Sequence, residues 1–311
     1  MVDISIVVPV FNEEKNVGIL YSRLTDVLRR IKKAYEIIFV DDGSNDRSFY
    51  VLRRIHEKDK RVKIIKFRKN FGQTAALDAG FKNSKGMIII TIDADLQNDP
   101  DDIPRLLEKM EEGYDVVSGW RIKRKDSLLK KIPSKFSNLF VRKFTKVSIH
   151  DSGCTLKAYK KECFNGLDLY GEMHRFIPGL LKWKGFKIGE IKVKHHPRRY
   201  GQSKYGVARL LKGFLDLLII KFWMQYSARP IHLFGGFGIL FSSVGFVIGL
   251  YLTIIRIFFN QPLSNRPLLL LALLLIILGV QLVVFGVLAD IMIKVYYKEG
   301  RDVYSIEKKL G

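Results

Sequence analysis

The sequence predicts an α/β protein in which a doubly wound, mostly parallel sheet is followed by a two-helix transmembrane hairpin. Strand-like and helix-like stretches alternate strictly over the first hundred residues, the pattern of a parallel sheet with right-handed crossovers. Two later runs, Leu233 to Ile255 and Leu268 to Ala289, contain no charged residue, and each is long enough to cross a bilayer. The polar segment between them, Asn260 to Pro267, favours a membrane hairpin over two buried core helices.

The individual elements can be placed from short apolar runs and from helical periodicity. Strands are predicted at Ile4 to Val10, Glu36 to Val40, Val62 to Phe67, Met87 to Ile92, Asp115 to Gly119 and Lys187 to Val193. Asn12 is expected to cap the first helix, which runs to about Lys33; further helices are predicted over Ser48 to about Asp59, Thr74 to Asn83 and Ile103 to Glu112. No Gly-x-Gly-x-x-Gly follows the first strand and no Walker lysine loop occurs, which disfavours dinucleotide-binding and P-loop chemistry.

Two carboxylates and an amide directly follow the fourth predicted strand, in the order Asp93-Ala94-Asp95-Leu96-Gln97. Ligands of doubly wound sheets collect at the carboxyl ends of the strands, and side chains at i, i+2 and i+4 share one face of an extended chain. The three polar side chains are therefore predicted to converge on a cation that prefers oxygen ligands. The alternative is that they only cap the next helix, although capping groups are already supplied by Asp99, Asp101 and Asp102.

Acidic residues also stand at the ends of the first two strands, namely Glu13 and the pair Asp41 and Asp42. An acid at a strand end can hold a ribose hydroxyl or a base edge, and Asp41 is the candidate for that contact. Its alternative role is the Asx turn that Asp41 to Ser44 would form in any case, and the sequence leaves both open. Carboxylates alone would repel a nucleotide diphosphate, so a cation at residues 93–97 would have to hold it.

The formal net charge of +22 would suggest nucleic acid as a partner if the protein were soluble. The basic residues are instead dense over Arg121 to Lys146, over Lys192 to Arg229 and after the second apolar run. The positive-inside rule therefore predicts a multi-pass plasma-membrane protein with both termini in the cytoplasm and no nucleic-acid partner. No signal peptide is expected, because the N-terminus leads directly into a strand. Cys154 and Cys163 fit no metal or redox spacing, so reduced and packed thiols are predicted.

A basic loop, Arg198 to Tyr205, follows the last predicted strand, and its arginines, lysine, hydroxyl and glycine are suited to bind phosphate oxygens. The adjacent His195 and His196 would point apart in an extended chain, so a structural role is expected for them rather than a metal site. Two other polar groups, His150 to Cys154 and Glu172 to Phe176, receive no role from periodicity.

The predicted domain organisation has four parts. Residues 1–204 form a cytoplasmic α/β domain, and residues 205–230 form an amphipathic juxtamembrane helix lying against the bilayer. Residues 231–295 contain the two spans, at about 233–255 and 268–290, and residues 296–311 form a cytoplasmic tail.

Four motifs in this order resemble the family 2 glycosyltransferases with the GT-A fold: Val8 to Glu14, Asp41 to Ser44, Asp93 to Gln97, and Arg198 to Tyr205. Within that family the sequence is most similar to the polyprenyl-phosphate branch, which includes dolichol-phosphate mannose synthases and bacterial bactoprenol glucosyltransferases. The resemblance covers the whole chain, including both spans. Each motif is weak alone, but their order and spacing are specific.

The resemblance implies roles for individual residues. The nucleotide pocket would contain Pro9, Glu13 and Asp41. Mg²⁺ or Mn²⁺ would be bound by Asp95 and Gln97, with Asp93 facing the sugar nucleotide. The acceptor phosphate would be bound by Arg121, Lys131 and Ser134, of which Lys131 departs from the family if arginine is usual there. The donor diphosphate would be held, and the loop closed, by Arg198 and Lys204.

The implied reaction is a metal-dependent, inverting transfer of a hexose from a UDP- or GDP-linked donor to a polyprenyl phosphate. A lipid monophosphate is already anionic at neutral pH, so its attack needs charge neutralisation rather than a general base. One alternative is a processive polysaccharide synthase, which is disfavoured because no Gln-x-x-Arg-Trp motif is present; another is a basic membrane-anchored scaffold. The sugar, the nucleotide, the lipid chain and a choice between monomer and homo-oligomer stay open.

Overall fold

The computed structural model describes residues 2–122, 149–167, 169, 171, 173–197, 222, 226, 229–262 and 267–298. The chain forms two compact units, Met1–Lys221 and Phe222–Gly311. The first is an α/β domain and the second is helical. The predicted domain boundary at 204 and the predicted juxtamembrane helix over 205–230 fall almost entirely outside the described residues, so both remain predictions.

Seven strands in the described part of the chain form one sheet. They are β1 (Ile4–Val10), β2 (Tyr35–Asp41), β3 (Val62–Lys66), β4 (Ile88–Thr91), β5 (Val116–Arg121), β6 (Lys157–Lys160) and β7 (Ile188–Val193). The helices of this unit are α1 (Val17–Ile31), α2 (Ser48–Lys58), α3 (Gln73–Lys82), α4 (Ile103–Glu111) and α5 (Ile177–Trp183). The six predicted strands are all present within one or two residues, and β6 is an additional strand.

The strand order is β3-β2-β1-β4-β6-β5-β7. The pairs β1–β2, β1–β4, β2–β3 and β5–β7 are parallel, whereas β6 runs antiparallel to both of its neighbours. The mostly parallel sheet expected from the sequence is therefore confirmed. Since β1, β2 and β4 are parallel neighbours, their carboxyl ends meet at one edge, where ligands of such sheets bind.

Helices cover both faces of the sheet. On one face Leu20, Leu24 and Leu28 of α1 are fully buried in a core that also contains Ile6 and Val8 of β1. Their i, i+4, i+8 spacing places them on one side of the helix, and each buried leucine contributes about 1.5–3 kcal/mol. On the other face Ala76 of α3 packs with Ile38 and Val40 of β2. This arrangement is the doubly wound architecture.

The second unit contains α6 (Ile231–Phe258) and α7 (Pro267–Lys298), which include both predicted spans. Both helices are long and apolar enough to cross a membrane, and most of their apolar side chains are exposed. They also approach each other backbone to backbone, because a Cβ added to Gly238 would lie 2.6 Å from the carbonyl oxygen of Gly279. Small residues permit such close packing in membrane helix pairs.

The predicted capping role of Asn12 is wrong. Helix α1 begins at Val17, and Asn16 occupies the position before it. Asn12 instead has a positive φ of 54°, and its side chain accepts a hydrogen bond of 2.8 Å from the backbone N–H of Asn45. Asn12 is thus hydrogen-bonded to the loop after β2, and this bond connects the carboxyl ends of β1 and β2.

Both cysteines are free and buried, as predicted. Burial raises the pKa of the Cys154 thiol to about 11 and that of Cys163 to about 12. Because the thiolate is the reactive form, these thiols are inert packing groups.

Candidate active site

The segment from Asp93 to Gln97, here called the acidic turn, follows the end of β4. Leu96 has a positive φ of 61°, and the backbone N–H of Gln97 donates a 3.1 Å hydrogen bond to Asp95 Oδ1. The expectation that these side chains share one face of an extended chain is therefore wrong, because the backbone turns sharply here. The turn, rather than strand periodicity, determines how the three polar groups are placed.

Asp93 is tied to neighbouring elements by its own hydrogen bonds. Gln73, at the start of α3, donates from Nε2 to Asp93 Oδ1 at 2.8 Å. Burial, followed by the charge of Asp95, raises the pKa of Asp93 to about 7, although a hydrogen bond from Thr155 and the charge of Arg121 act against the rise. A bound cation would favour the ionised form of both carboxylates.

The chemistry of the acidic turn fits a hard divalent cation. Asp95 is buried with 7% of its surface exposed, and the Gln97 amide nitrogen lies 3.5 Å from the carbonyl oxygen of His196, which leaves its amide oxygen as the group suited to a cation. Over the described ranges no three His, Cys, Asp or Glu side chains form a metal-binding group. One carboxylate and one amide would supply part of a coordination shell, and Mg²⁺ is usually bound by one or two carboxylates together with water and substrate oxygens. Metal binding by Asp95 and Gln97 remains a prediction.

Asp41 lies at the carboxyl end of β2 and is fully buried. Its Oδ1 accepts a 2.9 Å hydrogen bond from the backbone N–H of Ser44, three residues on, so the carboxylate does close the turn over Asp41 to Ser44, with a bond one residue longer than that of an Asx turn. Its Oδ2 is buried and has no hydrogen-bond partner. An unsatisfied buried acceptor costs about 1–3 kcal/mol, so a ligand donor at this oxygen would be stabilising. The structure therefore leaves room for the nucleotide role in addition to the turn.

Asp42, the residue after Asp41, connects two loops of the sheet edge. Its carboxylate accepts hydrogen bonds from the backbone N–H groups of Phe71 at 2.7 Å and Gly72 at 3.0 Å. Gly43 has a φ of 70°, and a Cβ there would lie 2.4 Å from the carbonyl carbon of Lys69. The loops after β2 and β3 are consequently locked together along the edge where Asp41 lies.

The other two residues predicted for the nucleotide pocket belong to the β1 side of this edge. Pro9 is half-buried in β1 and is paired in register with Val40. The carboxylate of Glu13 accepts a 2.5 Å hydrogen bond from the side chain of Asn16, and its backbone N–H donates to Ser48 at 2.8 Å. Contact of Pro9 and Glu13 with a nucleotide stays a prediction.

Arg121, the last residue of β5, forms a bidentate ion pair with Asp151. Its Nε and Nη2 lie 2.6 and 2.9 Å from the two carboxylate oxygens, and only 13% of the arginine side chain and 4% of the aspartate side chain are exposed. The predicted contact of Arg121 with an acceptor phosphate is not tested by this geometry. Lys131 and Ser134, the other residues predicted for that phosphate, lie outside the described residues.

The two residues His195 and His196, which precede the basic loop in sequence, are hydrogen-bonded to the acidic turn and to the residues directly after it. His195 forms an isolated bridge with Asn98, the backbone N–H of His196 donates to the carbonyl of Gln97 at 2.8 Å, and the His196 ring lies 2.9 Å from Asp99. The predicted structural role of His196 is confirmed. Arg198 and Lys204 lie outside the described residues, so their contacts with a diphosphate remain predictions.

Sequence reasoning missed a pocket that is lined in part by Gln73, the residue that donates to Asp93; we call it the basic pocket. Its polar lining includes Gln73, Ser152, Thr155, Lys157, His174 and Arg175. Two of the segments that meet here, around residues 152 and 174, had received no role from periodicity. The sequence carries no signal for this pocket, because its lining residues are far apart in the chain and meet only in the folded protein.

Comparisons with known proteins agree with this architecture. A family model described as "Glycosyl transferase family 2" matches residues 5–167. The dodecaprenyl-phosphate galacturonate synthase of Rhizobium johnstonii is 39% identical over 313 residues, covering 99% of this chain and 93% of the relative. The undecaprenyl-phosphate 4-deoxy-4-formamido-L-arabinose transferase of Pseudomonas paraeruginosa is 38% identical over 295 residues, covering 94% of this chain and 86% of that protein.

Solved structures show the same fold at lower sequence identity. Glucosyl-3-phosphoglycerate synthase from Mycobacterium tuberculosis, in complex with Mn²⁺ and UDP-glucose, has a TM-score of 0.55 and 16% identity, covering 70% of this chain and 78% of that chain. The seven-stranded mixed sheet is that of the GT-A glycosyltransferases. The family match and the extent of identity with the relatives exclude the scaffold alternative. This chain belongs to glycosyl transferase family 2 and is a glycosyltransferase of the GT-A fold.

Proposed function

We propose that this enzyme transfers a sugar from a nucleotide donor to the phosphate of a membrane polyprenyl phosphate and releases a nucleoside diphosphate. The observation that carries the proposal is the 39% identity to a dodecaprenyl-phosphate sugar synthase across 99% of the chain. The relatives' names share a polyprenyl-phosphate acceptor but differ in the sugar. The donor proposed here is a UDP- or GDP-linked hexose.

The donor would bind along the edge formed by β1, β2 and β4. Asp41 offers a buried carboxylate oxygen without a hydrogen-bond partner, which suits a ribose hydroxyl or a base edge. Asp95 and Gln97 would hold Mg²⁺ or Mn²⁺, which would neutralise charge on the leaving diphosphate. Asp93 would face the sugar, held in place by Gln73 at 2.8 Å. Arg198 and Lys204 of the basic loop would neutralise charge on the diphosphate.

The acceptor phosphate is itself the nucleophile. It is ionised at neutral pH, so no side chain has to remove a proton, and a single displacement would invert the anomeric carbon. Two anions must meet in this reaction, so basic groups near the membrane are required to lower their repulsion. Arg121, Lys131 and Ser134 are proposed for that role. Residues 1–204 would form the cytoplasmic catalytic domain, and α6 and α7 would anchor it to the plasma membrane.

Transfer by the detergent-purified protein tests the proposal. Radiolabelled sugar should pass from the nucleotide donor to a polyprenyl phosphate only when a divalent cation is present. The Asp95→Asn variant should lose at least about 100-fold in turnover, because one metal-binding carboxylate is removed. Asp101→Asn is the matched control, since Asp101 is a half-exposed carboxylate that pairs with Arg23 and Arg30. Equal turnover in excess chelator would contradict the metal, and absence of any lipid product would contradict the reaction.

A further inference from the structure

A single amide side chain, Gln281, lies in the middle of the second apolar helix. The part of α7 that is apolar enough to cross a membrane runs from Pro267 to Ile293, and its only polar side chains are Gln281 and Asp290. Gln281 is one residue past the midpoint of this segment, whereas Asp290 is about 14 Å further along the axis. In a hydrocarbon layer about 30 Å thick, Gln281 is therefore about 15 Å from water on either side.

The amide of Gln281 is exposed at the helix surface and makes no hydrogen bond within the described part of the chain. The hydroxyl of Thr253 in α6 differs, because it donates a 2.9 Å hydrogen bond to the carbonyl oxygen of Gly249. A polar group in hydrocarbon is unfavourable unless it is hydrogen-bonded. The glutamine side chain is also shorter than the lysine and arginine side chains that reach water from within a bilayer. Gln281 consequently requires a partner at its own depth.

Helix α6 cannot be that partner, because it packs on the opposite side of α7. A Cβ added to Gly238 would lie 2.6 Å from the carbonyl oxygen of Gly279, and one added to Gly245 would lie 2.7 Å from that of Ala272. With 3.6 residues per turn, Gly279 and Ala272 lie about 160° and 180° around α7 from Gln281. The amide therefore points away from the helix pair.

The surface around Gln281 is exposed and otherwise apolar. We call it the Gln281 face, and it also contains the neighbouring side chains at i−7, i−4, i+3, i+4 and i+7, namely Leu274, Ile277, Val284, Phe285 and Leu288. These apolar side chains alone do not require a protein partner, because lipid tails are as apolar as leucine. The amide at the centre of the face does.

The depth and the chemistry of the amide restrict what can bind it. Lipid headgroups and aqueous solutes do not reach the middle of the bilayer, and a hydrocarbon chain offers no hydrogen bond. A second Gln281 is at the same depth, because copies of one chain share their orientation in the membrane. Each amide has both a donor and an acceptor, so two copies related by a twofold axis can bond to each other reciprocally.

We propose that the Gln281 face is the membrane interface of a homodimer of this chain, with the two Gln281 amides hydrogen-bonded to each other. This interface extends the role of α7 beyond anchoring the enzyme. It does not depend on the proposed reaction, since it follows from the position and surroundings of one side chain in the membrane span.

Disulfide cross-linking of the full chain in its native membrane tests which face is in contact. Leu288→Cys places a thiol on the Gln281 face, two turns from Gln281. Val287→Cys is the matched control, because the two native residues have exposed fractions of 46% and 42% but Val287 lies about 120° around the helix from Gln281. Oxidation with copper phenanthroline should give a species of twice the chain mass for Leu288→Cys and little for Val287→Cys. The native Cys154 and Cys163 are buried and should not contribute.

The variant Gln281→Leu tests the amide itself, since it leaves the face apolar and should not disturb the fold. The dissociation constant of the dimer, measured by sedimentation equilibrium in a density-matched detergent, should rise about tenfold. Gln281→Asn retains an amide at this depth and should show a smaller rise. An unchanged thermal unfolding midpoint for both variants checks that the α/β domain is intact.

Three results would overturn the homodimer. They are a monomeric wild type, a dissociation constant for Gln281→Leu within twofold of wild type, and equal cross-linking of Leu288→Cys and Val287→Cys. A cross-linked product of any other mass would assign the Gln281 face to a different membrane protein and also overturn the proposal. If Gln281→Leu does not insert into the membrane, the comparison of the two cysteine variants still decides the question.

Discussion

The imidazole of His196 lies 2.9 Å from the carboxylate of Asp99, and this contact joins the segment before the basic loop to the segment after the acidic turn. Asp99 also pairs with Arg23 of α1 at 2.6 Å, so the junction is anchored to a helix of the core. His196 and Asp99 are 97 residues apart in sequence, so the fold rather than the local sequence brings them together. Positioning of the loop can therefore be tested separately from its charge.

Replacing His196 by Ala should lower kcat about tenfold while leaving the thermal unfolding midpoint nearly unchanged. The ring holds the residues that precede the basic loop, and we expect that loosening them misplaces the proposed phosphate-binding groups and raises the barrier by about 1.4 kcal/mol. Initial rates at saturating substrates measure the effect. Arg23→Gln is the control, since it removes the other ion pair of Asp99 and should keep the wild-type kcat. An unchanged kcat for His196→Ala would contradict the positioning role.

Arg198→Ala and Lys204→Ala should each reduce turnover about 100-fold, because each removes a cation proposed to stabilise the diphosphate leaving group. Circular dichroism and size-exclusion chromatography should show wild-type folding. Lys58→Ala, which removes an exposed lysine at the end of α2, should have wild-type activity. Wild-type rates for both loop variants would remove this loop from the mechanism.

Asp41→Asn should weaken nucleotide binding about tenfold without loss of stability. The asparagine oxygen can still accept the hydrogen bond from Ser44, whereas the negative charge at the unpartnered Oδ2 is lost. A thermal-shift series with UDP and GDP in the presence of Mn²⁺ measures the change and also identifies the base of the donor. Equal nucleotide-induced shifts in wild type and variant would limit Asp41 to its turn.

Glu36 should make stability depend on pH. Burial alone would raise the pKa of Glu36, but hydrogen bonds from Lys63, Ser5 and the backbone N–H of Lys85 outweigh it and hold the pKa below its usual value. A carboxyl with a depressed pKa stabilises the fold fully above its unfolded pKa of about 4.3, and loses that contribution as pH falls through its folded pKa.

The variant Glu36→Gln should therefore be about 1–3 kcal/mol less stable than wild type at pH 7, a difference that shrinks below about pH 4. Denaturant unfolding in detergent at several pH values measures it. Glu57→Gln, which alters an exposed i, i+4 pair with Arg53, should change stability by less than about 0.5 kcal/mol. A difference that is constant with pH would refute the ionised state of Glu36 as its source.

The segment between α6 and α7 should lie on the opposite side of the membrane from the α/β domain. Pro262→Cys provides an exposed thiol there, and Lys60→Cys provides one in the α/β domain. Labelling of intact cells with a membrane-impermeant maleimide should modify the first and spare the second. The native Cys154 and Cys163 are buried and should give little background. If the thiol introduced by Pro262→Cys is not labelled in intact cells, the proposed topology is contradicted.

Most strands of the sheet could be predicted, because a short run of apolar residues is visible in the sequence without knowledge of the fold. The predicted bounds of β1, Ile4–Val10, agree with the structure at both ends. Five of its seven residues are β-branched, and the run lies between a polar start and a polar loop, which is the pattern of a buried strand. Strand β6 was missed because Lys157–Lys160 is only four residues long and half lysine. It is a strand because it lies between β4 and β5, and that is tertiary information.

Residues of the candidate site could be predicted where polar side chains directly follow a strand. They could not be predicted where a side chain is paired with a residue far away in the sequence. Asp41 and the acidic turn were found from their positions after strands. The pairing of Arg121 with Asp151, thirty residues later, and the meeting of Lys157 with His174 in the basic pocket have no sequence signal. The backbone turn at Leu96 was also missed, since leucine rarely adopts a positive φ.

Strands β5 and β6 are antiparallel neighbours, yet 35 residues of chain separate Arg121 from Lys157. Closing a loop between two strands costs entropy that grows only with the logarithm of its length, about 0.6 kcal/mol for each doubling. The sheet therefore places little constraint on how long this connection is. A change in its length should therefore have a small effect on folding, whereas its last residues are constrained because Cys154 and Leu156 are buried in the core. Variation in length is thus one way in which this scaffold could adapt to a new acceptor.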